Sequence, residues 1–222
     1  REGRLPTGRG GLMAKPSISR CSQPLKVLDL FSGIGGFSYA AERLVGGFKT
    51  TQFVEIDPYC QSVLRKNFPN VPIHDDIKTF NATKGQFDII TAGFPCQDLS
   101  LAGRMVGLEG ERSGLFFEVL RLARQIRPKF ILFENVRNLI SHSDGKTFQQ
   151  ILKTLAQAGF DVEWSVVSAA DVGACHLRER LWFIAYPSSV LEREVQECAH
   201  LPAERLEKIP TERPVSNLSL IH

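Results

Sequence analysis

Asp29 to Phe37 reads DLFSGIGGF. It follows the apolar run Lys26 to Leu30, KVLDL, and precedes a segment with helical spacing, Phe37 to Leu44. A buried strand that breaks into a glycine-rich turn and then a helix is the opening of a nucleotide-type α/β unit. Gly33, Gly35 and Gly36 let the backbone turn sharply and let a ligand approach it. The helix start adds unpaired N–H groups. Ser38 stands where a third glycine would complete GxGxxG, which counts against a nicotinamide dinucleotide.

Moving outward, strands and helices alternate. TTQFVEID (50–57) reads as a second strand, and Tyr59 to Asn67 as a helix opened by Pro58. VPIHDDI (71–77) is a short third strand with its turn, and FDIITAGF (87–94) a fourth strand. Arg112 to Ile126 has helical spacing at Leu115, Phe116, Val119, Leu120 and Ala123. KFILFENV (129–136) is a fifth strand, and Lys146 to Ala158 a helix closed by Gly159. DVEWSVVSAADV (161–172) and RLWFIAYP (180–187) complete the set as strands. The expected fold is α/β: a mostly parallel sheet with helices on both faces. Residues 1–24, rich in Gly, Pro, Ser and Arg, read as a disordered or non-native leader, with Met13 a candidate start. Residues 25–187 form the domain. Residues 188–222 read as a tail with one short helical stretch, Glu192 to Cys198, which fits the start of a truncated small domain.

Bulk composition narrows the class. The 222 residues suffice for one core, and 43% hydrophobic with 23% charged is ordinary for a globular protein. No apolar run approaches the roughly 20 residues of a membrane span, and no secretory signal is legible. A net charge of +3 permits nucleic-acid binding without arguing for it. The five cysteines are odd in number, widely spaced and without a CxxC pair. That disfavours a disulfide framework or a zinc site and suits a reducing cytoplasm.

The chemically unusual residues fall at the carboxyl ends of the expected strands, where ligands sit in this architecture. Glu55 ends the second strand, placed to accept the hydroxyls of a ribose. Asp75 or Asp76, after the third, suits an adenine amino group. Together, behind a glycine turn, these acids favour an adenosine-containing ligand over mere caps and solvated turns. Cys96, in GFPCQDLS (93–100), follows Pro95, which fixes the local backbone and helps aim the thiol. An ordinary thiol titrates near about 8.5, so a nucleophilic Cys96 must lose its proton. Glu134 ends the fifth strand, where a carboxylate is costly without a partner or a task. Strands four and five are commonly neighbours, which would bring Cys96 and Glu134 into one cleft. That pair suits attack on a polarised ring with an acid at a ring nitrogen. No His is placed to serve a Cys–His hydrolase. Arg178 and Arg180 alternate in HLRERLWFIA (176–185), fit for a phosphate, a ring carbonyl or Glu134.

In order, DLFSGIGGF, FVEID, DDI, GFPCQDLS, ENV and RERLWFIA resemble the motif series of the DNA (cytosine-5-)-methyltransferases, from about Lys26 to Pro187. The resemblance implies a Rossmann-like, S-adenosylmethionine-dependent methyltransferase fold without a metal, acting on double-stranded DNA in a bacterial restriction–modification or phage setting, cytoplasmic and nucleoid-associated. The target cytosine would be flipped from the duplex. Cys96 would attack its C6 and Glu134 would assist at N3. C5 would then take the methyl group, and loss of the C5 proton would release Cys96. Arg178 and Arg180 would stand at the flipped base beside Pro95. By the same resemblance, Phe31 to Gly36 would hold the methionine part of the cofactor, Glu55 the ribose and Asp76, rather than Asp75, the adenine. The full cofactor set is Asp29, Phe31, Ser32, Gly33, Gly35, Gly36, Glu55, Ile56, Asp75, Asp76, Ile77, Gly93 and Pro95. Gln97 to Gly114 would be a mobile loop closing over DNA, freed by Gly103, Gly107 and Gly110. GACH (173–176) has Cys175 where many relatives have Pro. The family's target-recognition domain and late GN segment are not legible here. The alternative is therefore a truncated or split methyltransferase without activity alone, its missing part carried by a second polypeptide. A nicotinamide oxidoreductase and a methyltransferase of small molecules or RNA bases are the other readings.

Overall fold

A computed structural model describes residues 23–95 and 114–188. Cys96, the Gln97–Ser113 stretch, the leader before Gln23 and the tail from Ser189 lie outside the described residues. So do the expected helix start at Arg112 and the helical stretch 192–198.

The elements run β1 (Leu25–Leu30), α1 (Gly36–Tyr39), β2 (Phe48–Val54), α2 (Pro58–Asn67), β3 (Ile73–His74), β4 (Ile89–Ala92), α3 (Leu115–Ile126), β5 (Phe130–Val136), α4 (Lys146–Gln157), β6 (Phe160–Ser168) and β7 (Glu179–Pro187). The strands form one sheet in the order β3-β2-β1-β4-β5-β7-β6. The first five are parallel, and β7 runs antiparallel between β5 and β6. This is the α/β, mostly parallel architecture expected. The chain reverses its strand order next to β1, so β1 and β4 flank the crevice where such sheets bind ligands.

Side chains alternate across a strand, so register sorts residues by face. Asp29 pairs with Thr91 and Phe53. Thr91 pairs with Leu132, two residues before Glu134, and Glu134 pairs with Trp182. These residues share one face. The opposite face carries Leu28, Leu30, Ile90, Phe133 and Phe183, all fully buried, in the main core with Phe116, Val119 and Leu120 of α3 and Ile151 and Leu155 of α4. Phe133 and Phe183 stack across β5 and β7 with ring centroids 4.5 Å apart. Burying each such side chain contributes about 1.5–3 kcal/mol. A smaller cluster of Phe53, Leu64 and Phe68 fixes α2 against β2. Among the described residues, every buried side-chain nitrogen and oxygen has a hydrogen-bond partner. No described helix is long and apolar enough to cross a membrane.

Three elements differ from the sequence expectation. The helix after the glycine turn is α-helical only to Tyr39 and widens into a π turn, Ala40–Val45. There Glu42 accepts from Thr50 N (2.7 Å) and Lys49 Nζ (3.2 Å), and Gly46 at φ 79° ends it. The third strand shrinks to two residues at the sheet edge, bounded by Pro72. AADV leaves the sheet as a 3-10 turn, Ala170–Val172, because Ser168 and Asp171 cap each other: Asp171 Oδ2 accepts from Ser168 N (2.9 Å), and Ser168 Oγ from Asp171 N (3.1 Å).

Candidate functional site

The glycine turn crosses the carboxyl end of β1. Phe31 sits at φ 55°, Gly33 at 54° and Gly35 at 90°. The left-handed region is unfavourable for a side chain, so Phe31 holds local strain. Its N–H donates to Val54 O at 2.9 Å, tying the turn to β2. A Cβ on Gly35 would meet Leu64 Cδ2 and Phe68 Cε2, each at 2.9 Å; here glycine lets α2 close on the turn. At Gly33 and Gly36 a Cβ would meet nothing within 4 Å. The space above the turn is open to a ligand.

Glu55 is buried just beyond β2, and its carboxylate organises the turn. Oε2 accepts from Gly33 N (2.7 Å) and Oε1 from Asp57 N (2.8 Å). A carboxylate has about four acceptor sites, so it can still receive ligand hydroxyls. Asp57 caps α2 by accepting from Cys60 N at 2.9 Å. Ile56 is 71% and Tyr59 73% exposed on the same rim, apolar surface suited to a flat ring. Asp75 and Asp76 differ: Asp75 Oδ1 accepts from Gln61 Nε2 (3.0 Å), while Asp76 Oδ1 accepts from Lys78 N (2.9 Å) and so turns the chain. Ile77 is buried beside them in the core.

Asp29 is wholly buried, and its carboxylate faces neighbouring strands rather than open space. Oδ1 accepts from Thr91 Oγ1 and Oδ2 from Ser38 Oγ, both at 2.7 Å. Ser38 Oγ accepts in turn from Thr50 Oγ1 at 2.8 Å. Burial pushes the Asp29 pKa up to about 6; the Ser38 and Thr91 hydroxyls and the Ser38 backbone N–H oppose the rise, and the nearby Glu55 charge adds to it. Ser32, also buried, donates to the Asp29 carbonyl at 2.6 Å.

At the other end of the crevice, Glu134 Oε1 pairs with Arg180 Nε at 2.8 Å, both side chains about a quarter exposed. The antiparallel β7 makes this meeting: its first residues lie where the parallel strands end. Arg180 Nη1 also donates to Glu179 O (2.8 Å). Glu134 Oε2 lies 3.5 Å from where a Cβ of Gly93 would stand, and Phe37 Cε2 3.7 Å from it. Phe37 packs edge-on against Trp182, centroids 5.7 Å apart. Gly93 thus leaves a gap between the glycine turn and the Glu134–Arg180 pair. Pro95 is exposed at the last described residue before Cys96. Arg178 is exposed, and its side chain has no partner among the described residues. Cys175 is an exposed free thiol.

Asn135, buried and unassigned from sequence, donates from Nδ2 to Phe94 O (3.0 Å) and accepts from Val136 N at Oδ1 (2.9 Å). It bolts the end of β5 to the strand end that leads into Pro95. The ENV motif carries the signal, an amide beside the Glu at the end of a buried strand. A groove of about 770 Å3, lined by Val136, Ile140, Ser141, Val166 and Arg180, runs beside the pair. Among the described residues no cluster of three or more His, Cys, Asp or Glu is grouped to hold a metal ion.

The family model of the C-5 cytosine-specific DNA methylases matches residues 25–218. The chain belongs to this family. Among its relatives, type II methyltransferase M.DsaV of Dactylococcopsis salina is 39% identical over 162 residues, 73% of this chain and 46% of the relative. Type II methyltransferase M.HhaI of Haemophilus parahaemolyticus is 36% identical over 162 residues, 73% of this chain and 49% of the relative. The chain spans about half the length of the curated relatives it matches. Among solved structures, a candidate DNA modification methyltransferase encoded within an E. coli prophage superimposes with TM-score 0.60 at 30% identity, over 75% of this chain and 47% of that one. The S. pombe Dnmt2 methyltransferase shares the fold, with TM-score 0.57 at 21% identity over 75% of this chain and 50% of that one. The Rossmann-like methyltransferase fold expected from the motif series is thereby established.

Proposed function

We propose that this chain is the catalytic core of a DNA cytosine-5 methyltransferase that works on a flipped-out base in double-stranded DNA through a covalent bond from Cys96. The juxtaposition at Gly93 carries the reading: an open glycine turn and a Glu–Arg pair share one face of the sheet, with Phe37, packed on Trp182, bordering the gap between them.

The residues around the turn fit S-adenosylmethionine. Gly33 and Gly36 offer open backbone, and Glu55 retains acceptor capacity for a ribose. Ile56 offers an apolar face to an adenine, and Asp76 the acceptor for its amino group. Bound there, S-adenosylmethionine supplies an electrophilic methyl group. The chain's own residues prepare the base. A thiolate at Cys96 adds to C6 of the ring, which makes C5 electron-rich. Glu134 holds a proton at N3, so that the charge from this addition is not left on the ring. Arg180 fixes the Glu134 carboxyl in place through one oxygen and leaves the other facing the gap at Gly93. Pro95 restricts the backbone that aims Cys96. Arg178, exposed and without a side-chain partner among the described residues, offers a cation to the base or a phosphate.

The test is transfer of a labelled methyl group from S-adenosylmethionine to unmethylated genomic DNA, with Cys96→Ala as control. Label that disappears in the control supports both the reaction and the sufficiency of this chain. No label from a folded sample refutes independent activity, and adding back candidate partner polypeptides then asks whether the function is split.

A further inference from the structure

A buried carboxylate–hydroxyl contact closes the base of the glycine turn. Asp29 precedes the turn and Ser38 follows it, and their side chains meet at 2.7 Å. The same carboxylate holds Thr91 of β4, and Ser38 in turn receives Thr50 of β2. Four elements therefore converge on Asp29. All four side chains are buried: Asp29, Ser38 and Thr50 are fully inaccessible and Thr91 is 5% exposed. Asp29 cannot touch a ligand in the turn; it can only hold the turn that does.

We propose that Asp29 is a positioning residue for the S-adenosyl ligand, and that its ionised form sets the grip of the turn. This rests on the ligand reading above. The hydroxyl chain has a direction: Thr50 donates to Ser38, Ser38 to one carboxylate oxygen, and Thr91 to the other. A proton on Asp29 would reverse one of these bonds. One carboxylate oxygen would become a donor, so Ser38 or Thr91 would have to stop donating to it and the Thr50–Ser38 hydroxyl pair would have to reorient inside a site closed to water. Ser38 would shift, and the turn with it. From the elements packed against Asp29, Glu55 beyond β2 is the one charged group acting on it among the described residues; β4, α1 and β2 otherwise present the neutral hydroxyls of Thr91, Ser38 and Thr50 and the Ser38 backbone N–H. No described cation neutralises the carboxylate, and burial raises its pKa to about 6, so its proton returns in mildly acidic solution.

The experiment is calorimetric titration of S-adenosylhomocysteine into the whole chain between pH 5 and pH 8, for wild type and Asp29→Asn, with the Gly33, Gly35 and Gly36 amide resonances followed over the same range. If only the ionised form grips the ligand, wild-type affinity falls about tenfold from pH 7 to pH 5, because the competent fraction falls by that factor. The Asp29→Asn protein binds at least about tenfold more weakly at pH 7.5, with a flat profile over this range and an intact thermal transition. The turn amides shift with a midpoint near 6 in wild type only, which separates Asp29 from Glu55. Equal affinity and the same pH profile in both proteins would overturn the proposal. Absence of binding by wild type at every pH, with an Asp29-dependent amide titration, would overturn the ligand reading and leave Asp29 as the anchor of the turn. Amides that do not respond to Asp29 would remove that role as well.

Discussion

Two glycines of one turn should fail in opposite ways when given a methyl group. Gly35 sits at φ 90°, and its new Cβ would stand 2.9 Å from both Leu64 and Phe68. Neither neighbour can retreat: Leu64 is fully buried, Phe68 nearly so, and the Phe68 ring packs edge-on to Phe53 with centroids 5.3 Å apart. The left-handed backbone costs about 1–2 kcal/mol and overpacking about 1–3 kcal/mol, so Gly35→Ala should lose about 2–5 kcal/mol. Gly33, at φ 54°, carries the backbone cost alone, since its Cβ would meet nothing within 4 Å; Gly33→Ala should lose about 1 kcal/mol. Urea unfolding with unchanged slope reads both values. Ligand binding should reverse the order. The Gly33 methyl group would fill the space above the turn and weaken S-adenosylhomocysteine at least about tenfold, whereas Gly35→Ala, below its melting temperature, should be affected less. Equal stability losses at the two positions would refute the packing argument. Undiminished binding by Gly33→Ala would show that the open space is not where the ligand lies.

Two further changes test the polar framework. Folding raises the Asp29 pKa from its ordinary 3.8 to about 6, so the folded chain holds that proton more tightly than the unfolded one. This group's contribution is most favourable below about pH 4 and is lost as pH rises through 6, an effect of order 3 kcal/mol. The stability difference between Asp29→Asn and wild type should therefore move in the variant's favour from pH 4.5 to pH 7 in parallel urea titrations, and curves of constant separation would contradict it. Asn135→Ala leaves the buried Phe94 carbonyl and the Val136 N–H without their partner, a loss of about 2 kcal/mol in the same assay. A change under about 0.5 kcal/mol would mean the bolt between β4 and β5 is dispensable.

The sheet was legible because its strands are short apolar runs ended by turn chemistry. The glycine turn, Pro58 and the Gly159 stop each placed a boundary close to where it falls. Failures occurred where side chains redirect the backbone locally. Glu42 draws the first helix into a π turn, and the reciprocal Ser168–Asp171 cap removes AADV from the sheet. Neither leaves a period in the sequence. Carboxylates at strand ends announced themselves by being out of place among apolar residues. Asp29 was legible as a member of the turn, but its burial was not, because a motif does not say which way a side chain faces. The hydrogen-bonding roles of Asn135, Ser38 and Thr91 are not legible in the sequence, because neutral polar residues carry no such anomaly. Their meaning lies in the strand register, which one sequence does not display.

That register also links the two ends of the site. Phe37 and Ser38 are adjacent at the start of α1 yet face different neighbours. Ser38 enters the Asp29 network, while Phe37 rests on Trp182 and borders the gap at Gly93. Trp182 is paired in register with Glu134. A displacement of α1 by even a few tenths of an ångström must move the turn and the wall of the gap together, since packed interiors do not absorb such shifts piecemeal. The glycine turn and the Glu134–Arg180 pair are therefore not independent modules. In Asp29→Asn, the aromatic and amide resonances of Trp182 should shift along with those of Gly33 to Gly36, although Trp182 makes no contact with Asp29. A Trp182 signal unmoved while the turn responds would show that α1 flexes between Phe37 and Ser38, and that the two halves of the site are set separately.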